Sequence, residues 1–129
     1  MKQWAPSAHD NQAGERMPPT PLPGRPARGS RSGRPIMALL DLLGRRWTLR
    51  VIWELRNTTT PQTFRELQSR CGDISSSVLA TRLRDLGEAD LVTHVGEGYR
   101  LTDQGESLLD HLLPLDAWAT SWAADLHRR

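Results

Sequence analysis

Residues 63 to 101 read TFRELQSRCGDISSSVLATRLRDLGEADLVTHVGEGYRL, and this stretch constrains the fold more than any other. Thr63-Phe64-Arg65-Glu66 is a capping box, in which the Thr oxygen and the Glu carboxylate satisfy backbone N–H groups left over at a helix start. Leu67 supplies the apolar face of that helix. Cys71-Gly72-Asp73 ends it, with the glycine suited to a left-handed C-terminal position. After a short turn, Ile74 is a hinge expected to be buried and Ser75 is an N-cap. Leu79, Leu83 and Leu86 then recur at the four- and three-residue steps of one helical face. Leu91 to Val95 alternates as a strand, Gly96-Glu97-Gly98 turns, and Tyr99 to Leu101 returns.

Two helices joined by a tight turn and followed by a hairpin make the layout of a winged helix-turn-helix, a unit that reads DNA. Turning each residue by about 100° from the leucine stripe places Ser77, Ala80, Thr81 and Arg84 on the opposite face, with Ser76 at the N-terminal rim. Small residues let a helix backbone sink into the major groove, hydroxyls bond bases or phosphates, and Arg84 has the fork for guanine O6 and N7. Arg82 lies beside the apolar stripe and is as well placed to pair with a carboxylate as to touch DNA. The expected fold is α+β, mainly α, with a two-stranded wing and flanking dimerisation helices.

Those flanking helices carry the apolar surface. Ile36, Leu39, Leu40 and Leu43 sit at i, i+3, i+4 and i+7 of a first helix that ends at Gly44, and Trp47, Val51, Ile52 and Leu55 build a second. After the wing, Thr102 is an N-cap for a long last helix with Asp103 in its first turn. Leu108, Leu112, Leu115, Ala119, Trp122 and Leu126 follow alternating steps of four and three, the seam of two helices packed together, with Trp118 close by. A domain of this size cannot easily hide that stripe, so a second copy of the chain is expected against it, the alternative being packing on its own first helix. Pro114 is expected to kink the helix.

The charge is uneven. Residues 1 to 35 contain Lys2 and five arginines against Asp10 and Glu15, so the other 94 residues carry 11 basic and 13 acidic groups. A DNA-binding surface must then be local, with acidic groups segregated elsewhere. Seven of the nine prolines and four glycines also fall in those first 35 residues, which marks residues 1–34 as a disordered tail and 35–129 as the folded unit. Arg25, Arg28, Arg31 and Arg34 recur every three residues and would line one side of a polyproline helix as a phosphate-tracking arm; the alternative is a solubilising extension.

Other classes find little support. Cys71 is the only cysteine, so no intramolecular disulfide forms, and the four histidines are scattered without metal-ligand spacing; no metal and no cofactor are expected. The N-terminus lacks an apolar signal core and no run of about 18 apolar residues occurs, which points to a cytoplasmic protein without a membrane partner. No Ser/His/Asp arrangement, phosphate-cradling glycine loop or paired carboxylates mark an enzyme.

The chain resembles the HxlR-type regulators among the MarR-like winged-helix proteins. The resemblance runs from about Pro35 to Trp118 and rests on Leu40-Asp41-Leu42-Leu43-Gly44 followed by Trp47, on Phe64 and Glu66-Leu67, on Ile74-Ser75 with Leu79, Arg82-Leu83 and Leu86, on Leu91-Val92, on Leu101-Thr102 with Gly105, and on Trp118. It implies a homodimer built by the first and last helices and bound to inverted-repeat operators in double-stranded DNA. It also implies that Ser76, Ser77, Ala80, Thr81 and Arg84 form the groove-facing part of the recognition helix. Many members carry a redox-sensing cysteine just before the proline that opens the first helix, where this chain has Arg34; Cys71 instead matches an apolar position and is expected to be a buried structural thiol. Thr63 stands where the family usually has an Arg, leaving Arg65 as the substitute phosphate contact. Glu97 at the wing tip would be repelled by phosphate, so wing contacts are expected from Tyr99 or Arg100. The expected activity is therefore a DNA-binding regulator, with repression as the sign. Its rivals are a regulator that binds a small aromatic effector at a dimer interface lined by Trp118 and Trp122, and an adaptor that kept the fold but not DNA binding.

Overall fold

A computed structural model describes residues 19–128. The element order is α1 (Pro35–Leu43), α2 (Thr48–Glu54), β1 (Gln62–Thr63), α3 (Phe64–Cys71), α4 (Ser76–Glu88), β2 (Val92–Val95), β3 (Gly98–Leu101) and α5 (Asp103–His127). The capping box is formed in full: Thr63 Oγ1 accepts from the Glu66 N–H, and the Glu66 carboxylate accepts from the Thr63 N–H. Ser75 and Thr102 cap α4 and α5 in the same way, accepting from Val78 N–H and Gly105 N–H. Each cap satisfies a donor that would otherwise be orphaned at a helix start, and each is worth about 1 kcal/mol.

The core lies where α2, α3, α4, the sheet and the first turns of α5 meet. Leu79 and Leu86 are fully buried and Leu83 nearly so, packed with Val51, Ile52, Leu55, Leu67, Ile74, Leu101 and Leu109. Truncating such a leucine to alanine costs about 2–5 kcal/mol. The helix-turn-helix corner is tied by Gln68, whose amide donates to Ile74 O and Ser76 Oγ, so the end of α3 holds the start of α4 directly.

The wing has one strand more than the sequence indicates. β2 and β3 form an antiparallel hairpin with Val95 opposite Gly98, and β1 adds to the free edge of β3 through Gln62 opposite Tyr99. A two-residue strand leaves no alternation to read. Gly96 sits at φ +61° in the first central position of the two-residue turn, a conformation that costs glycine nothing. Gly98 belongs to β3, not to the turn.

Trp47 is not inside the second helix but is its N-cap, held at φ +77° with its ring half-buried against the core. α5 continues unbroken through Pro114. Its inward residue is Leu109, missed by the leucine spacing, while Leu108 and Leu112 also lean on the chain's own core. From Leu115 onward the apolar face stands clear: Leu115, Trp118, Trp122 and Leu126 are exposed, as are Ile36 and Leu40 of α1. The last part of α5 therefore does not fold back on α1.

The largest departure lies before α1. Residues 1–18 are outside the described part of the chain, but residues 19–34, expected to be a structureless tail, form a turn-rich strap. Gly24 N–H donates to Gly33 O, and Ala27 and Ser30 exchange hydrogen bonds, so the segment doubles back on itself. Its arginines consequently do not line one side of an extended polyproline helix. Thr20 and Pro21 are buried, and the anchoring is polar: Thr20 Oγ1 lies 2.8 Å from Asp85 Oδ1, Arg45 donates to Pro19 O at 2.7 Å, and Arg25 donates to Thr20 O at 3.0 Å. Proline and glycine forbid regular structure here without forbidding order, because side-chain hydrogen bonds replace the backbone ladder.

Candidate nucleic-acid interface

Helix α4 divides its circumference cleanly. Its leucines face the core, and Ser76, Ser77, Ala80 and Arg84 are exposed, with Thr81 partly so. Thr81 Oγ1 donates to Ser77 O at 2.9 Å, which keeps a hydroxyl oxygen on the solvent side without breaking the helix. A small, hydroxylated ridge of this kind has no side chain long enough to hold the backbone away from a DNA groove.

On the flank of α4, about 120° from the leucine stripe, sits Asp85, a position that a bare helix would leave in solvent. Its side chain is wholly buried, and three arginines converge on it: Arg84 at 2.9 Å on Oδ1, and Arg82 at 3.2 Å and Arg45 at 3.3 Å on Oδ2. The Thr20 hydroxyl completes the set from the strap and also meets Glu88. A buried carboxylate is tolerable only with its oxygens bonded in this way. Burial lowers the pKa of Arg82, while Asp85 pulls it back up. Arg82 is thus a carboxylate partner. Arg84, whose side chain is 41% exposed, is drawn to Asp85 at the edge of the face, with Nη2 2.9 Å from Oδ1.

Beyond Asp85 the α1–α2 connection and the strap form, with α4, an open groove of about 740 Å³. Arg28, Arg45, Arg46, Arg82 and Arg84 line it with Ser77 and Thr81, against Asp41 as the only acidic lining residue among the described residues. With Asp85 counted, five positive charges meet two negative ones among the described residues, so positive charge is concentrated here while residues 19–128 as a whole carry 14 basic against 13 acidic groups. Sequence reasoning singled out Ser77, Thr81 and Arg84, named Arg28 only as one of a phosphate-tracking series, and missed Arg45, Arg46 and Asp85. The available signal was the Arg45-Arg46 pair directly after the helix-ending Gly44.

The remaining expected contacts are not gathered there. Arg65 is exposed on α3 and borders a separate shallow depression with Gln68 and Asp73. Tyr99 is half-buried against the core and stacks on His94 at 4.6 Å between ring centroids. Arg100, its neighbour on β3, is exposed and borders a pocket with Thr58, Thr60, Asp103 and Glu106. Adjacent strand residues point to opposite faces, so Tyr99 and Arg100 cannot both meet one partner from the same side of the wing. Glu97 is exposed at the tip.

Cys71 closes α3 from inside. It is buried, and its thiol pKa is raised by burial first and by Glu54 second, with Arg50 opposing. Such a thiol is a packing group and a poor nucleophile at neutral pH. Among the described residues no cluster of three or more His, Cys, Asp or Glu side chains is placed to hold a metal ion, and no helix is long and apolar enough to cross a membrane.

An α3–turn–α4 unit with a capped, small-faced second helix, a three-stranded wing and a cationic groove along one flank defines a winged helix-turn-helix of the DNA-binding kind. The HxlR-like helix-turn-helix family matches residues 42–127, and the chain belongs to that family. Among solved structures, the chain is similar to a possible HxlR family transcriptional factor from Thermoplasma volcanium, with 32% identity, TM-score 0.60, and coverage of 65% of this chain and 80% of that one. It is likewise similar to the quinone-bound YodB of B. subtilis, with 30% identity, TM-score 0.62, and coverage of 67% and 96%. A MarR-family regulator from Enterococcus faecalis matches at 28% identity and TM-score 0.64 over 73% of this chain and 90% of that one. No curated protein matches significantly. The chain is a DNA-binding transcriptional regulator of the HxlR type.

Proposed function

We propose that this regulator is a cytoplasmic repressor that binds an inverted-repeat operator as a homodimer. Two α4 helices would enter successive major grooves about 34 Å apart, with phosphate contacts setting the register. The observation that carries this reading is the exposed Ser76/Ser77/Ala80/Thr81 ridge bordered by a cationic groove on an otherwise acidic unit. That local positive field also favours DNA over the adaptor alternative, which needs no such segregation of charge. The dimer is supported by the uncovered face of α5: Trp118 and Trp122, 59% and 52% exposed, stack at 5.6 Å, leaving a broad aromatic surface with no intramolecular cover among the described residues. Selecting duplexes from a random pool and footprinting the winner should yield two half-sites about one helical turn apart, protected by two chains. Repression follows if such a site, placed over a promoter, lowers reporter output when the chain is expressed.

Within this reading Arg84 has a defined choice. To take a guanine edge it must share or leave Asp85, so Arg84→Ala should relax base preference at one position per half-site; a uniform loss across sequences would assign it to phosphate. A small aromatic effector is a second reading, since the neighbour YodB is recorded with a quinone bound. In this chain its site would have to lie between two copies at Trp118 and Trp122, because both rings face open solvent in the protomer. Quenching of tryptophan fluorescence by added quinone, lost in Trp118→Ala, would support it.

A further inference from the structure

The strap of residues 19–34 is fixed to the recognition helix, and the groove beside that helix is incomplete without it. Thr20 reaches Asp85 and Glu88 of α4, Pro19 O accepts from Arg45, and the doubled-back Gly24 to Gly33 segment presents Arg28 to the groove also lined by Arg45, Arg46 and Arg84. We propose that the strap is part of the DNA interface and that Arg28 contacts a backbone phosphate flanking the base pairs that α4 reads; this rests on the DNA-binding reading above.

Three features of Arg28 separate it from the other strap arginines. Arg25 is spent internally, donating to Thr20 O. Arg31 and Arg34 do not border the groove. Arg28 does, and its side chain is 89% exposed, with Asp41 Oδ1 at 3.8 Å as its salt-bridge partner among the described residues. An exposed pair at that distance is weak, so a phosphate can take over the guanidinium at little cost. The backbone is held more firmly than the head group, because Arg28 N–H donates to Asp41 Oδ2 and the Ala27–Ser30 bridge closes the turn around it. The excess of three positive charges in the groove supplies the attraction, and an arginine fork matches phosphate oxygens geometrically. Thr20 acts as the positioning residue, since its hydroxyl ties the strap to the helix whose register the phosphates must match.

The test is an anisotropy titration of the full chain against a mixed-sequence 30-base-pair duplex at several chloride concentrations. Arg28→Ala should weaken binding and lower the slope of log affinity against log salt by about 0.9 per bound protomer, the value for one phosphate contact. Arg31→Ala, on the same strap but outside the groove, should leave the slope unchanged. Thr20→Val should approach the Arg28→Ala result with Arg28 still present, and trypsin should cut within residues 19–34 faster. An unchanged slope for Arg28→Ala, with wild type still binding, overturns the proposal and leaves DNA binding intact; equal losses for Arg31→Ala and Arg28→Ala also overturn it, as unplaced charge. Failure of the wild type to bind duplex overturns both readings. Replacing chloride by inorganic phosphate at matched ionic strength should not alter the titration; specific competition would assign the groove to a free anion and sink the proposal.

Discussion

The Thr20 hydroxyl sits 2.8 Å from Asp85 Oδ1 across 65 positions of sequence. That contact joins the segment ahead of α1 to the flank of the recognition helix, at a carboxylate already shared by Arg45, Arg82 and Arg84. Asp85 therefore organises three elements at once: the strap, the α1–α2 connection and α4.

Replacing Asp85 should be severe. Asp85→Ala strands Arg82 and Arg45, whose side chains are largely buried, without their shared acceptor, and breaking a buried pair from one side costs about 3–5 kcal/mol. Urea unfolding followed by circular dichroism should give a loss in that range. A loss below about 1 kcal/mol would mean the cluster contributes little to the fold.

Gly105→Ala should also destabilise, for a different reason. A Cβ at Gly105 would collide with the Leu91 carbonyl oxygen, which accepts from Thr102 N–H at the α5 start, and would press on Leu101. Forcing α5 off the sheet costs about 1–3 kcal/mol by overpacking. Thermal unfolding should show a clearly lower Tm, and an unchanged Tm would place α5 elsewhere.

The surface proposed for self-association is separable from the core. Trp122→Asp or Leu115→Asp puts charge on a face that is exposed in the protomer, so light scattering should report a monomer while circular dichroism stays helical. A wild type that is already monomeric at micromolar concentration would contradict the dimer.

Cys71 should resist thiol reagents in the native state and react fully in urea, since it is buried and its pKa is raised above the ordinary 9.0. The stability linked to the neutral thiol is fully present below about pH 9 and is lost as pH rises through the raised folded value, because the unfolded chain ionises first. Cys71→Ala should remove that alkaline decline. Rapid stoichiometric modification of the native chain at pH 7 would reverse the assignment.

What the sequence made legible was local. The Thr63/Glu66 capping box, the Ser75 and Thr102 caps and the Leu79/Leu83/Leu86 stripe each depend on residues within a few positions, and each is formed. What stayed hidden depends on distant partners. Asp85 reads as a surface charge until Thr20 and Arg45 close over it, and a Pro/Gly-rich strap has no periodicity to betray that it packs. β1 is too short to alternate, and Leu108 differs from the inward Leu109 by one helical step that only the docking angle of α5 decides.

In the proposed complex the exposed ridge of α4 enters the major groove of DNA. Ala80 is exposed on that ridge, so Ala80→Glu should leave the Tm unchanged while placing a carboxylate against the groove floor and its phosphates. Titrating wild type and variant against the selected duplex measures this directly. The expected result is a loss of more than about tenfold in affinity, equivalent to ~1.4 kcal/mol. Equal affinity of the two folded proteins would contradict it.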